Sequence, residues 1–149
     1  LVVYTDGCAL GNGREGARAG IGVWFGPNDP RNVSKALEGK ATNNRAEIMA
    51  VVELLEQTQD DVQDMKIYTD STYVRNAMTK WISQWRINGW IDSKGMPVKN
   101  QDLLRRLDTL LTAAKERKKL HIPGHRGYRG NEEADRLANL GAAASRPSG

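Results

Sequence analysis

Hydrophobic and polar positions along this chain follow two periods. Val2-Val3-Tyr4-Thr5 is a β-branched and aromatic run closing on Asp6-Gly7, and Lys66-Ile67-Tyr68-Thr69 repeats it before Asp70-Ser71. Both read as strands that end on a carboxylate. Ala19-Gly20-Ile21-Gly22-Val23-Trp24-Phe25 alternates as a strand, and a third strand near Asn32 to Leu37 completes an antiparallel meander. Helical spacing then takes over. Ile48, Val51, Val52 and Leu55 mark a helix from about Arg45 to Gln57, with Thr42, Asn43 and Asn44 as N-cap candidates. Ser71 to Met78 reads as a second helix. Leu103, Leu104, Leu107, Leu110 and Leu111 mark another, capped by Asn100-Gln101-Asp102. Leu120-His121-Ile122 is a short strand, and a last helix opens at Asn131 and runs through Leu140. Strand, helix, strand, helix in this order predicts a right-handed parallel crossover.

One apparent motif is set aside. Gly11-Asn12-Gly13-Arg14-Glu15-Gly16 matches G-x-G-x-x-G, but a strand pattern follows it where a dinucleotide site needs a helix N-terminus. Asn12-Gly13 is instead a hairpin turn pair.

The chain has 149 residues, enough for one domain with a sizeable core. Because it starts almost inside its first strand, it is expected to be a domain cut from a longer protein, with residues 1–144 folded and 145–149 a flexible tail. The net charge is +4, which suits a polyanionic partner. The single cysteine, Cys8, rules out an internal disulfide and a cysteine-built zinc site, and fits a reducing intracellular compartment. No apolar run approaches transmembrane length, so no membrane partner is expected.

The candidate chemistry lies in acids. If the two echoing strands are parallel neighbours, Asp6 and Asp70 converge, and two close carboxylates need a shared proton or a cation. The plainer alternative is that Asp6 starts a turn and Asp70 caps the next helix. Glu47 either completes a capping box with Asn44 or reaches over the sheet edge toward Asp6. Asp135 lies on the helix face of Ala138 and Ala142, pointing either inward or to solvent. All four at one edge would form an oxygen-only donor set suited to Mg²⁺, with Mn²⁺ as substitute. Two such ions support in-line phosphoryl displacement. Trp81 and Trp85 are i, i+4 partners, and with Trp90 they are either a small core or, with Lys80, Arg86, Lys94 and Lys99 around them, a nucleic-acid surface. Lys115 to Lys119 reads as a solvated basic run. His125, in a glycine-rich loop, is either idle or a proton carrier.

Taken together, Tyr4-Thr5-Asp6-Gly7, Thr42-Asn43-Asn44-Arg45-Ala46-Glu47, Tyr68-Thr69-Asp70-Ser71, Pro123-Gly124-His125 and Gly130-Asn131-Glu132-Glu133-Ala134-Asp135 closely resemble the type 1 ribonuclease H catalytic domain over essentially the whole chain. The wording around Ile122 and Gly130 resembles eukaryotic members more than bacterial ones. The resemblance implies an α/β fold: a five-stranded mixed sheet, ordered 3-2-1-4-5, with helices on both faces. It implies an endonuclease, acting as a monomer, that hydrolyses the RNA strand of an RNA/DNA hybrid and leaves 5′-phosphate and 3′-hydroxyl ends. Asp6, Glu47, Asp70 and Asp135 would hold two Mg²⁺, and His125 would assist turnover. Asn12, Asn43 and Asn44 would contact the RNA strand. Trp81, Trp85 and Ser93 would line a DNA-strand channel, and Lys40, Thr42 and Asn100 a DNA-phosphate pocket. Lys40 departs from the arginine expected there, which loses a bidentate contact. A nuclear or mitochondrial location follows if the source is eukaryotic, cytoplasmic otherwise. The rivals are a non-catalytic hybrid-binding module and an integrase-like or resolvase-like nuclease for duplex DNA, since fold alone leaves the substrate open.

Overall fold

The computed structural model describes residues 1–11, 17–124 and 128–144. Its sheet is built on β1 (Val2–Leu10), which pairs antiparallel with β2 (Arg18–Trp24) and parallel with β4 (Met65–Thr69). Adding β3 (Val33–Leu37) and the two-residue β5 (Leu120–His121) gives the order β3-β2-β1-β4-β5 that the resemblance implies.

Strand alternation sorts the two faces. Val3, Thr5, Gly7, Ile21 and Val23 share one face, which packs on α1 (Asn43–Gln57). Tyr4, Asp6, Cys8, Gly20 and Gly22 share the other, which packs on α5 (Tyr128–Ala144). Close approach decides the glycines. A Cβ on Gly7 would lie 2.3 Å from the Ala46 carbonyl carbon, and one on Gly22 would lie 2.2 Å from the Ala134 oxygen. Helices can therefore ride directly on the strand backbone beside Asp6.

Helix α1 is buried almost all round, through Ile48, Ala50, Val51, Val52, Leu54 and Leu55, because α4 (Gln101–Lys115) covers the side turned away from the sheet. Leu104, Leu107 and Leu111 of α4 are buried, and each such side chain is worth about 1.5–3 kcal/mol.

Several expectations change. β1 runs on past Asp6 to Leu10, so Asp6 starts no turn; it is the shorter β4 that stops, at Thr69, just before Asp70. Ser71, not Asp70, caps the next helix, its hydroxyl accepting from the Val74 N–H at 3.1 Å. α1 begins at Asn43 with Thr42 as its cap, accepting from the Arg45 N–H at 3.2 Å, so no capping box forms on Asn44. α5 starts at Tyr128, ahead of Asn131. The helix expected from Ser71 is α2 (Thr72–Asn76), which continues through a π-helical turn at Ala77–Trp81 into α3 (Ile82–Asn88). Asn100 precedes α4 but makes no side-chain cap bond to it. The run from Lys115 to Lys119 is exposed except at Lys118, which is buried, its ammonium donating to the Thr58 carbonyl at 3.0 Å beyond the end of α1. His125, Asn12, the Gly11–Gly16 turn pattern and the 145–149 tail lie wholly or mostly outside the described residues. Among the described residues no helix is long and apolar enough to cross a membrane.

Candidate active site

Asp6 is buried on the α5 face of β1, opposite Gly22 of β2. It lies within hydrogen-bonding reach of both Glu47 and Asp135. Glu47 rises from α1 on the other face of the sheet. It can meet Asp6 because β4 has ended and Gly7 lets the first turn of α1 sit against β1. Around Glu47 are Asp6, the Gly7 N–H and the Thr69 hydroxyl, with Asp70 near enough to act on its charge. One of its oxygens, Oε2, is buried with no hydrogen-bond partner among the described residues. Asp135 comes from the second turn of α5 and is exposed, as is Asp70.

Burial is the main reason that the Asp6 carboxyl is held far above the usual carboxylate range, and the neighbouring Glu47 and Asp135 push it the same way. Burial also raises Glu47, with Asp70 adding repulsion. Without a cation, burial and its neighbours push Asp6 toward the protonated form. Among the described residues no three acids, cysteines or histidines stand at the spacing of a ready-made cation cage. The acids meet instead as overlapping contacts centred on Asp6 and Glu47.

Next to this cluster, at the start of α1, lies a cavity of about 640 Å³ lined by Lys40, Thr42, Asn43, Asn44, Arg45, Lys99 and Asn100. Asn43 is tied to β1, its Oδ1 accepting from the Ala9 N–H at 2.8 Å. Arg45 forks onto Asp102 at 3.0 and 2.8 Å and pulls that carboxyl down to about 2. The sequence reading assigns Lys40, Thr42, Asn43, Asn44 and Asn100 to strand contacts, gives Arg45 no role, and groups Lys99 with the tryptophan segment, whereas Lys99 lines this cavity. Arg45 lies inside the Thr42–Glu47 motif, and Lys99 is adjacent to Asn100, so proximity to named residues was the available signal.

The aromatic segment divides. Trp90 is buried, with φ +64° after the left-handed Gly89, and belongs to the core. Trp81 and Trp85 are half-buried, 5.9 Å apart between ring centroids. With Gln84, Asn88, Ile91, Asp92 and Ser93 they line a second concavity of about 420 Å³. Arg86 of the surrounding cations is turned to Asp108 at 3.0 Å.

The RNase H family model matches residues 1–143. Ribonuclease H1 of Rattus norvegicus is 47% identical over 146 residues, an alignment covering 97% of this chain and 51% of that one. This chain thus spans about half the length of the mammalian relatives it matches. Ribonuclease H of Acidovorax sp. is 41% identical over 145 residues, covering 95% of this chain and 93% of that one. Among solved structures, the foamy viral protease-reverse transcriptase in complex with an RNA/DNA hybrid superposes with a TM-score of 0.81 at 26% identity, over 97% of this chain and 20% of that one.

Proposed function

Because the chain belongs to the RNase H family, we propose that it is a metal-dependent endonuclease that hydrolyses the RNA strand of RNA/DNA hybrids, largely without regard to sequence, leaving 5′-phosphate and 3′-hydroxyl ends. The observation that carries the reading is the meeting of Asp6 with Glu47 and Asp135, beside Asp70, from both faces of the sheet. Family membership implies dependence on a divalent metal. The donor set fits a hard one: every candidate donor is a carboxylate, and the buried, unpartnered Glu47 Oε2 is an acceptor suited to a cation. Asp6, Glu47, Asp70 and Asp135 would hold two Mg²⁺, or Mn²⁺. When bound, such ions activate water and stabilise the leaving oxygen of an in-line phosphoryl displacement.

The chain's own groups do the rest. Glu47 and Asp6 stand on rigid backbone, so the donors are oriented before substrate arrives. Asn43 and Asn44, with Asn12 outside the described residues, offer amides to the 2′-hydroxyls that mark RNA. Trp81 and Trp85, with Ser93 beside them, offer an aromatic surface to the sugars of the DNA strand. Lys40, Thr42 and Asn100 receive a DNA phosphate. His125, also outside the described residues, would assist turnover as a proton carrier. Backbone contacts of this kind carry no base sequence, which accounts for sequence-neutral cleavage.

The test offers labelled hybrid, duplex DNA and duplex RNA side by side, with Mg²⁺ or a chelator. Cleavage is expected of the hybrid alone, in its RNA strand, and only with the metal. Asp70→Asn should lower the rate by roughly two to three orders of magnitude while hybrid binding stays nearly unchanged. Full activity in that variant, or equal cutting of duplex DNA, contradicts the reading.

A further inference from the structure

Arg45 and Tyr73 have no task in the reading above, yet they meet on one side chain, that of Asn100. Asn100 has a left-handed backbone, φ +61° and ψ +24°, which turns its carboxamide away from capping α4. Its Oδ1 accepts from Arg45 Nη1 at 3.4 Å, and its Nδ2 donates to the Tyr73 hydroxyl at 3.3 Å. A guanidinium has donors only, so it must face the amide oxygen, and the amide nitrogen must then face the phenol. Each partner is held in turn. Asp102 grips Arg45 through two hydrogen bonds, and the Tyr73 ring packs edge-on to Trp81 at 5.9 Å. Lys40 and Lys99 line the same cavity.

An asparagine free to flip would offer an anion its carbonyl lone pairs as readily as its N–H groups. We infer that Arg45 and Tyr73 are positioning residues that lock the Asn100 carboxamide with its oxygen occupied, so that the cavity meets a phosphodiester phosphate of the DNA strand with an N–H donor. The inference rests on the reading of this cavity as a phosphate pocket. It makes Arg45, which lines the same cavity, a determinant of substrate affinity that acts through Asn100. It also explains why a residue in the first turn of α1 forks onto α4: the fork fixes the guanidinium on the cavity wall.

The experiment measures KM and kcat on a hybrid for Asn100→Ala, Arg45→Lys and Tyr73→Phe, then for each of the last two combined with Asn100→Ala. Lysine cannot fork onto Asp102 while also reaching Asn100. Arg45→Lys should raise KM by about tenfold and Tyr73→Phe by about threefold, with kcat within about twofold of wild type. Neither should raise KM further once Asn100 is alanine. Tyr73→Phe removes one hydroxyl and keeps the ring, so it reads the effect without the cost of breaking the Arg45–Asp102 pair. Effects that multiply with Asn100→Ala, or an unchanged KM in Tyr73→Phe, overturn the positioning role alone. An unchanged KM in Asn100→Ala itself overturns the phosphate pocket as well.

Discussion

Asp6 is a carboxyl buried among carboxyls, which can exist only by keeping a proton or finding a cation. Its pKa and that of Glu47 are raised on folding, so the folded chain binds more protons than the unfolded one. The linkage sign follows: without metal, the contribution of these two groups to stability is fully present below the ordinary carboxylate pKa of about 4 and is lost as pH rises through their raised values. Asp6→Asn removes the ionisable group and keeps the shape. In chelator at pH 8 it should raise the melting temperature by several degrees, a gain that shrinks toward pH 4. Mg²⁺ should stabilise wild type more than the variant. Thermal melts with and without Mg²⁺ check this; a variant that melts lower than wild type in chelator at pH 8 contradicts the account.

Among the elements, α5 matters as much as the strands that carry Asp6 and Asp70. It lies on the glycines of β2 so closely that Gly22 has the Ala134 oxygen where a Cβ would stand. Asp135 follows Ala134, so the depth of this contact sets how near Asp135 comes to Asp6. Gly22→Ala must push the helix outward, because the obstacle is backbone and cannot rotate away. The expected cost is about 1–3 kcal/mol. Cleavage should fall even well below the melting temperature, since Asp135 moves with the helix. Chemical denaturation paired with a rate assay on the folded variant separates the two effects. A variant that is destabilised but fully active would show that Asp135 tolerates the shift. The π-helical turn at Ala77–Trp81 acts at the same level, changing the angular relation between α2, just after Asp70, and the tryptophans of the second concavity.

At the scale of the whole molecule, charge and shape act together. The chain carries net +4, and Lys40 and Lys99 stand at the cavity beside the acids. Binding of a hybrid should therefore weaken steeply between about 50 and 200 mM salt. Lys40→Ala should weaken it at every sequence alike and reduce the magnitude of the log–log salt slope by about 1. Titrations of a labelled hybrid in chelator, across several salt concentrations, measure the slope. An unchanged slope would take Lys40 off the phosphate path. Because the cation cluster and the acid cluster are neighbours rather than mixed, the protein can attract a polyanion while keeping a local concentration of negative charge for metal.

The sequence by itself determined the strands and most helix spans and singled out the four acids as candidates, because each rests on a short-range signal: alternation, helical spacing, or a motif a few residues long. Only the tertiary structure decided what those residues meet. Asp6 turned out to lie within a longer strand, since pairing with β2 outlasts pairing with β4. Lys118 turned out to be buried, since the carbonyl of Thr58 lies sixty residues away along the chain but 3.0 Å away in space. Arg45 reached Asn100 and Asp102 across a helix–helix contact that no local pattern encodes. Local periodicity reports which side of an element is apolar; the partner across a packed interface is chosen by the closure of the whole chain.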